Sequence, residues 1–364
     1  MATRGLEGDL FNKYFSNVRL MPVFSDWAMT LGDDAAACAP EAKVLPRTYA
    51  SEAAATCVDY GARLSARFQE LCRKMQRVDS LAWAAVVGFG GDVAASVTGV
   101  LQGNAASSLI VATELSTVQL KNTKLMLNMG FTGTGVLMVD ASTLHVNNST
   151  LSNNLAVTFG GAVAAASGTF VEIVNSRFDY NIAAGGGALF ASGHVTQAIN
   201  TTFSANCAVG GVDDEWALDQ QQGLLAYEGR GGAVWAVGGN HTTMANTTFL
   251  HNVAAAGSAI NSMAGNLTLK GCLLKDNWAS TYGGGLTVWK GLAGITGTVF
   301  VSNTAEVAGG AVALIPASVT VDNSSMQHNA GGQCGGGLFM TALFETTLVS
   351  TSWQADSSFN NVQQ

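Results

Sequence analysis

Short apolar segments separated by glycine and asparagine turns run through most of the chain, and the same arrangement returns at a fixed step. A motif of two glycines, alanine and an aliphatic residue, with small variations, begins at positions 160, 186, 231, 257, 283, 309 and 335. Successive copies are 26 residues apart, except for one step of 45 residues. A fixed period of roughly 20–50 residues indicates a repeat architecture.

A second motif, an apolar residue three positions before an asparagine, recurs in phase with the first. Its copies are Leu151/Asn154, Phe178/Asn181, Phe203/Asn206, Phe249/Asn252, Leu274/Asn277, Phe300/Asn303 and Met326/Asn329. We expect the apolar column to fill the core, where each large side chain contributes roughly 1.5–3 kcal/mol by burial. We expect the asparagines to form a ladder of amide hydrogen bonds, because an unpaired buried amide costs about 1–3 kcal/mol.

The segments between these signals have the pattern of strands. They are short and rich in β-branched residues, and apolar positions alternate with period two, as in residues 169–174. Helical repeats need about 33 residues or more and propeller blades roughly 40 or more. Three short strands with three turns fit the repeat, so the pattern predicts an all-β, right-handed parallel β-helix with ~26 residues per coil. The glycine pair permits a turn with positive φ or a close backbone approach.

These paired signatures, GGA followed by Val, Ile or Leu and Phe-x-x-Asn, resemble the repeats of the chlamydial polymorphic outer-membrane proteins and their relatives. That family lies within the pectin-lyase-like superfamily of right-handed β-helices, and the similarity covers about residues 86–364. The resemblance implies the β-helical fold. It implies little about chemistry, because such coils occur in adhesins, surface proteins and enzymes alike.

Residues 1–85 carry no repeat and form a predicted irregular and helical capping region, whereas residues 86–364 form the repeat domain. In residues 51–78, apolar side chains at three- and four-residue spacings or their multiples predict an amphipathic helix: Val58, Leu64, Phe68, Leu71 and Met75. Because the open end of a solenoid needs a cover, we expect this helix to cap the first coil. A membrane-surface or partner-binding helix is the alternative, since basic residues occupy its other positions.

The distribution of charge narrows the range of partners. Residues 1–85 hold ten basic and ten acidic residues, and residues 86–364 hold seven basic and fifteen acidic ones, so the net charge of −8 lies on the repeats. Nucleic acids and acidic polysaccharides are therefore not expected as partners, since phosphate binding needs clustered Lys and Arg. A carbohydrate or a protein surface is the expected partner.

Targeting signals bear on the compartment. No run of about 18 apolar residues is present, so no transmembrane helix is predicted. The first residues lack the apolar core of a signal peptide. We expect the chain to be part of a longer polypeptide that is extracellular or on the cell surface, and an intracellular scaffold is the alternative.

The 45-residue step places an insertion, residues 208–230, between two coils, and this is the candidate site. The insertion contains an acidic cluster and two aromatic residues: Asp213, Asp214, Glu215, Trp216 and Tyr227. Phe190 and Trp235 share one repeat position in the flanking coils, so an outward-facing column would place their rings side by side. Aromatic rings beside carboxylates suit a neutral glycan, with Ca²⁺ as a candidate cofactor. The alternative is a solvated acidic loop.

No catalytic residue is predicted, and no metal site beyond the candidate Ca²⁺ ligands. A glycosidase needs two carboxylates about 5–10 Å apart, and the acidic residues of the regular coils fall in different registers: Glu172, Asp179, Asp276, Glu306 and Asp322. We therefore expect a non-catalytic structural or adhesion-type interaction module. The alternative is a carbohydrate-active enzyme, a polysaccharide lyase or a glycoside hydrolase, acting through the 208–230 loop.

The six cysteines have no Cys-x-x-Cys or zinc-binding spacing: Cys38, Cys57, Cys72, Cys207, Cys272 and Cys334. The three within the repeats occupy different positions of their coils, and buried free thiols are favoured over disulfides. Seven N-x-S/T sequons are weak evidence for secretion, because several coincide with turns of the repeat.

Overall fold

The computed structural model describes residues 87–89, 94–103, 108–113, 115–130, 132–139, 141–156, 158–166, 168–192, 195–210, 229–238, 241–341, 346–354 and 356. Within these residues the regular secondary structure consists of 36 β-strands in three sheets. The all-β prediction is confirmed. The predicted helix over residues 51–78, like the rest of the predicted capping region 1–85, lies outside the described residues.

Each coil passes in turn through sheets A, B and C. Sheet A has ten strands: β1 (Val87–Phe89), β3 (Ile110–Ala112), β6 (Val136–Met138), β10 (Val163–Ala165), β14 (Leu189–Ala191), β18 (Val234–Val237), β22 (Ile260–Met263), β26 (Leu286–Trp289), β30 (Val312–Ile315) and β34 (Leu338–Met340). Sheet C has eight: β5 (Met129–Gly130), β9 (Leu155–Ala156), β13 (Ile182–Ala183), β17 (Cys207–Ala208), β21 (Val253–Ala256), β25 (Trp278–Tyr282), β29 (Thr304–Ala305) and β33 (Ala330–Gly331).

Sheet B has eighteen strands, most of them in pairs separated by one turn within a coil. They are β2 (Ala94–Gln102), β4 (Thr117–Met126), β7 (Thr143–Asn147), β8 (Thr150–Ser152), β11 (Phe170–Val174), β12 (Arg177–Asp179), β15 (Val195–Ile199), β16 (Thr202–Ser204), β19 (His241–Ala245), β20 (Thr248–Leu250), β23 (Asn266–Lys270), β24 (Leu273–Lys275), β27 (Leu292–Thr296), β28 (Val299–Val301), β31 (Ser318–Asp322), β32 (Ser325–Gln327), β35 (Thr346–Val349) and β36 (Ser352–Gln354).

Strands of successive coils pair in parallel and keep the register of the repeat. Val163 pairs with Leu189, and Val234 pairs with Ile260, in each case 26 residues later. The long step pairs Leu189 with Val234 without a shift in register. The chain is therefore a parallel β-solenoid of about 26 residues per turn, with eight coils that run through all three sheets. The insertion interrupts the sequence repeat but not the stacking of the coils.

Apolar side chains that point inward form one continuous core. Phe178, Phe203, Phe249 and Phe300 are fully buried in it. The ring centroids of Phe178 and Phe203 are 4.9 Å apart, and those of Phe203 and Phe249 are 5.2 Å apart, with the rings stacked. The apolar column predicted from the repeat thus fills the core of the solenoid.

The two glycines of the repeat motif have different structural roles. The first lies in the left-handed region of backbone space, with φ of 63° at Gly283, where a side chain is unfavourable. The second packs against the following coil: a Cβ atom on Gly284 would lie 2.4 Å from the Gly310 carbonyl oxygen. Where serine replaces the second glycine, the Ser258 hydroxyl donates a hydrogen bond to the Trp278 carbonyl.

Buried asparagines of eight successive coils stack at the corner before sheet C: Asn128, Asn154, Asn181, Asn206, Asn252, Asn277, Asn303 and Asn329. Each Nδ2 donates to the Oδ1 of the next asparagine at 2.9–3.1 Å. Each backbone N–H donates to the same Oδ1 at 2.9–3.2 Å. Asp356 takes the place of an asparagine after the last rung and accepts from Asn329. The ladder thereby links every described coil through side chains.

Candidate functional site

Phe190 and Trp235 lie side by side on the outer face of sheet A. They are the second residues of β14 and β18 and pair directly across the insertion. Their neighbours Leu189 and Val234 are part of the core, so the alternation of a strand turns Phe190 and Trp235 outward. Their ring centroids are 5.3 Å apart with an edge-to-face geometry.

Both rings are buried even though they face away from the core. Phe190 is 9% exposed and Trp235 is 4% exposed. Phe159 stacks on Phe190 at 4.8 Å and meets Trp235 edge-on at 5.5 Å. Gly185 leaves room for the indole, because a Cβ atom there would lie 2.5 Å from Trp235 Cε3. These two positions therefore form part of a packed aromatic cluster and not the open platform that stacking on a sugar would require.

A buried cation lies where the chain returns from the insertion. Arg230, next to the repeat glycine, bridges to Ala256 and is only 4% exposed. Its Cζ atom is 5.1 Å from the centroid of the Trp289 ring, a cation–π distance, and Nη1 is 3.4 Å from Met263 Sδ. Its repeat position is occupied in other coils by uncharged residues: Phe159, Gly185, Ala256, Tyr282, Ala308 and Cys334. That contrast is the sequence signal that could have singled out Arg230 as a site residue.

Asn261 extends the same outer column beyond Trp235, its partner in the next coil. It is fully buried, and its Oδ1 has no hydrogen-bond partner among the described residues. Its Nδ2 donates to the Ala256 carbonyl at 3.4 Å. A buried acceptor of this kind requires a donor such as an ordered water molecule or a ligand hydroxyl.

The coils on both sides of the insertion correspond to a known repeat region. The family model described as the right-handed β-helix region matches residues 108–305, more than half of the chain. The chain belongs to the right-handed β-helix family. No curated protein and no solved structure matches it. Membership accounts for the fold of the β-helix, and its chemistry depends on residues on the outer faces.

The other predicted site residues of the β-helix lie in the insertion: Trp216, Tyr227, Asp213, Asp214 and Glu215. Residues 211–228 are outside the described part of the chain, so the predicted Ca²⁺ ligands stay a prediction. Among the residues that are described, no group of three or more His, Cys, Asp or Glu side chains could hold a metal ion. The same residues include no helix that is long and apolar enough to cross a membrane.

Several carboxylates in sheet B or in the turn that follows it have a basic neighbour. The Glu172 carboxylate is 2.8 Å from His145 Nδ1, and the Asp276 carboxylate is 3.7 Å from Lys275 Nζ. Asp179 pairs with Arg177. Burial raises the pKa of Asp179, and the hydrogen bond and charge of Arg177 oppose that rise. These pairs are separate from one another, and none of them includes Arg230, which lies in the column before sheet A.

Two of the three cysteines in the β-helix form disulfides. Cys207 and Cys334 are disulfide-bonded, so the prediction of free thiols is wrong for both. It is correct for Cys272, a buried free cysteine whose Sγ donates to the Met244 carbonyl at 3.2 Å. Burial raises the pKa of the Cys272 thiol, which keeps it protonated and unreactive.

Proposed function

We propose that this β-helix is a non-catalytic interaction module of the polymorphic outer-membrane protein type, located at the cell surface or outside the cell. Its ligand is a carbohydrate or a protein surface, bound on the outer face of sheet A beside the insertion. The observation that carries the proposal is the unbroken pairing of Phe190 with Trp235 across that insertion. The insertion does not disturb the stacking of the coils, so its residues are not needed for the fold and can bind a ligand.

The location is supported by the disulfides of Cys207 and Cys334. Disulfides form and persist in oxidising environments, and they are rare in reducing compartments such as the cytosol. An intracellular scaffold would not normally keep two of them. This chemistry favours the extracellular or surface location over the alternative.

The ligand class is supported by the residues at the two ends of the insertion. The insertion carries Asp213, Asp214 and Glu215. Where the chain returns from it, Arg230 lies before sheet A and contacts the ring of Trp289 at the end of β26. Aromatic rings and groups of both charges suit a hydroxyl-rich neutral glycan or a protein surface. A net charge of −8 makes a polyanion an unfavourable ligand.

Binding should be tested on arrays of glycans and of extracellular matrix proteins, with Ca²⁺ and with a chelator. One variant lacks the 19 residues that exceed the repeat, which restores the regular 26-residue step. A second variant is Trp289→Ala. The matched control is Leu292→Ser, an exposed position on sheet B. Neutral glycans or a protein ligand should bind the parent and the control, and both site variants should lose at least about tenfold in affinity, equivalent to about 1.4 kcal/mol.

Circular dichroism and the unfolding midpoint of each variant show whether the coils remain folded. Binding that survives excision in a folded protein would place the site on another face. Cleavage of a bound glycan, detected as new reducing ends or unsaturated products, would favour the carbohydrate-active enzyme instead.

A further inference from the structure

An apolar row runs along the outer face of sheet C. Cys207, the first residue of β17, follows Asn206, whose side chain points inward in the asparagine ladder. Side chains alternate along a strand, so Cys207 points outward. Ile182 and Val253 occupy the same position in the neighbouring coils. These three side chains form an apolar cluster of their own, apart from the core, together with Leu155, Val209 and Trp278.

This outward row is buried like a core. Ile182, Cys207 and Val253 are only 5–7% exposed. The outer positions of a solenoid sheet normally face water, and burial to this degree requires a cover. The row of Ile182, Cys207 and Val253 is therefore a docking surface. The disulfide of Cys207 indicates which segment of the chain covers it.

The partners of the two disulfides follow by elimination. The repeat position of Cys207 recurs four coils later at Ala330, as the strand pairings from β17 through β21, β25 and β29 to β33 show. Cys334 lies in that fourth coil but four residues further along the chain, in the column of Arg230 and Ala308 before sheet A. Four coils separate the two residues by about 19 Å along the stack, whereas disulfide-bonded Cα atoms lie within about 7 Å. They cannot be bonded to each other, and Cys272 is free. The remaining cysteines are Cys38, Cys57 and Cys72.

We propose that residues 51–78 dock as a helix across the coils, from Cys207 on the outer face of sheet C to Cys334 at the turn before sheet A, with Cys57 and Cys72 bonded to these two residues. The spacing of the cysteines selects this pair. Fifteen residues of α-helix span about 22 Å. Cys207 and Cys334 are about 19 Å apart along the stack and are also displaced from each other around the coil, so a helix of this length that lies obliquely can reach both. Fifteen steps of about 100° turn Cys72 only about 60° away from Cys57, so both thiols lie on one face.

The same face of that helix is apolar. At about 100° per residue, Leu64, Phe68, Leu71 and Met75 all fall within about 40° of the direction of Cys57. The helix thus brings an apolar stripe and two thiols to the apolar row that contains Cys207. The second disulfide, at Cys334, lies four coils further along the stack. The stripe covers Ile182 and Val253, and the basic residues face water. A helix in the proposed position lies against the side of the stack, in place of the predicted cap over the first coil.

Each bond forms by two thiol–disulfide exchanges with a low-molecular-weight disulfide such as oxidised glutathione. A thiolate of the helix attacks the oxidant, which releases one thiol and leaves a mixed disulfide on the protein. The thiolate of Cys207 or Cys334 then attacks the protein sulfur and releases the second thiol. Two cysteine thiols are oxidised and one small disulfide is reduced to two thiols for each bond.

The linkage can be read directly from the whole chain. The oxidised protein is alkylated under denaturing conditions and digested with pepsin at acid pH, which suppresses disulfide exchange, and linked peptides are identified by mass spectrometry. We expect two links between Cys57 or Cys72 and Cys207 or Cys334, with Cys38 and Cys272 alkylated. A link that includes Cys38, or alkylated Cys207 and Cys334, would overturn the proposal.

A second measurement tests the docking. In the Cys57→Ser/Cys72→Ser double variant, amide hydrogen exchange at Ile182 and Val253 should become at least about tenfold faster and the unfolding midpoint should fall. Cys38→Ser is the matched control and should leave both unchanged. If the double variant does not fold, mild reduction of the parent protein under native conditions gives the same comparison. Unchanged exchange after either treatment would mean that another segment covers the row.

Discussion

Asn277 illustrates what a single residue contributes to the stack. Its Oδ1 accepts hydrogen bonds from Asn252 Nδ2 and from the Asn252 backbone N–H, each at 2.9 Å. Its Nδ2 donates to Asn303 Oδ1 at 2.9 Å and to the Phe249 carbonyl at 3.1 Å. One side chain therefore joins three coils, and all four bonds lie in a buried environment where unpaired groups are costly.

Replacing this rung should destabilise the protein. In Asn277→Leu the side chain keeps the same number of heavy atoms and the same branching, but Asn252 loses an acceptor, and Asn303 and the Phe249 carbonyl lose a donor. We expect the free energy of unfolding to fall by roughly 1–3 kcal/mol, measured by denaturant titration. The matched control, Asn147→Leu at an exposed end of β7, should change it by less than about 0.5 kcal/mol. Equal effects in the two variants would contradict a structural role of the ladder.

Asp356 gives the end of the ladder a pH dependence. Burial raises its pKa above the ordinary value of 3.8. Hydrogen bonds from Asn329 and the electrostatic effect of the nearby His328 oppose the rise. Its Oδ2 is buried with no hydrogen-bond partner among the described residues. The folded state therefore prefers the neutral acid. The stabilising effect is complete below pH 3.8 and is lost as the pH rises through the raised pKa.

Asp356→Asn should remove this dependence. We expect the variant to have a higher unfolding midpoint than the parent at neutral pH, and the difference should vanish below about pH 3.8, where the parent carboxyl is neutral in both states. Differential scanning calorimetry across this range provides the measurement. A variant that is less stable than the parent at neutral pH would show that the ionised carboxylate is favourable at this position.

At the scale of an element, the turn that enters sheet A depends on close backbone approach. The first glycine of the motif turns the chain with positive φ, and the second lets one coil touch the next, as Gly284 does at Gly310. Stacked strands are about 4.8 Å apart, which leaves no room for a side chain directed along the stack. The spacing of parallel strands thereby explains why the motif returns in every coil.

A glycine pair within neighbouring coils allows a controlled test. Gly284→Ala would place a methyl group 2.4 Å from the Gly310 carbonyl oxygen and 2.5 Å from that of Thr304. We expect a loss of roughly 1–3 kcal/mol in the free energy of unfolding from overpacking. Gly294→Ala in β27 meets no atom within 4 Å and should be neutral or stabilising by about 0.4–1 kcal/mol. If Gly294→Ala lowered the free energy of unfolding as much as Gly284→Ala, the loss at Gly284 could not be attributed to overpacking against Gly310.

At the scale of the whole molecule, the described chain is a stack in which each coil pairs only with its two neighbours. We expect a far-ultraviolet circular dichroism spectrum dominated by strand, with a small helical component that is lost on deletion of residues 1–85. A spectrum dominated by helix would contradict the solenoid. A truncated protein with an unchanged spectrum would contradict the predicted helix over residues 51–78.

The amino-acid sequence by itself determined the period, the strands and the roles of the repeated columns. In a parallel stack, equivalent positions of successive coils lie above one another. All residues of one column therefore have the same space and the same hydrogen-bond partners, and the same residue type recurs there. The core position of Phe249, the ladder position of Asn277 and the turn at Gly283 could all be predicted for this reason.

The tertiary structure decided what happens on the outer faces. The burial of Phe190 and Trp235, the cation–π contact of Arg230 and the disulfides of Cys207 and Cys334 are not periodic features. Their environments depend on segments that are distant in the chain or occur only once in it. A repeat pattern has no information about such contacts, because it describes only what one coil requires of the next.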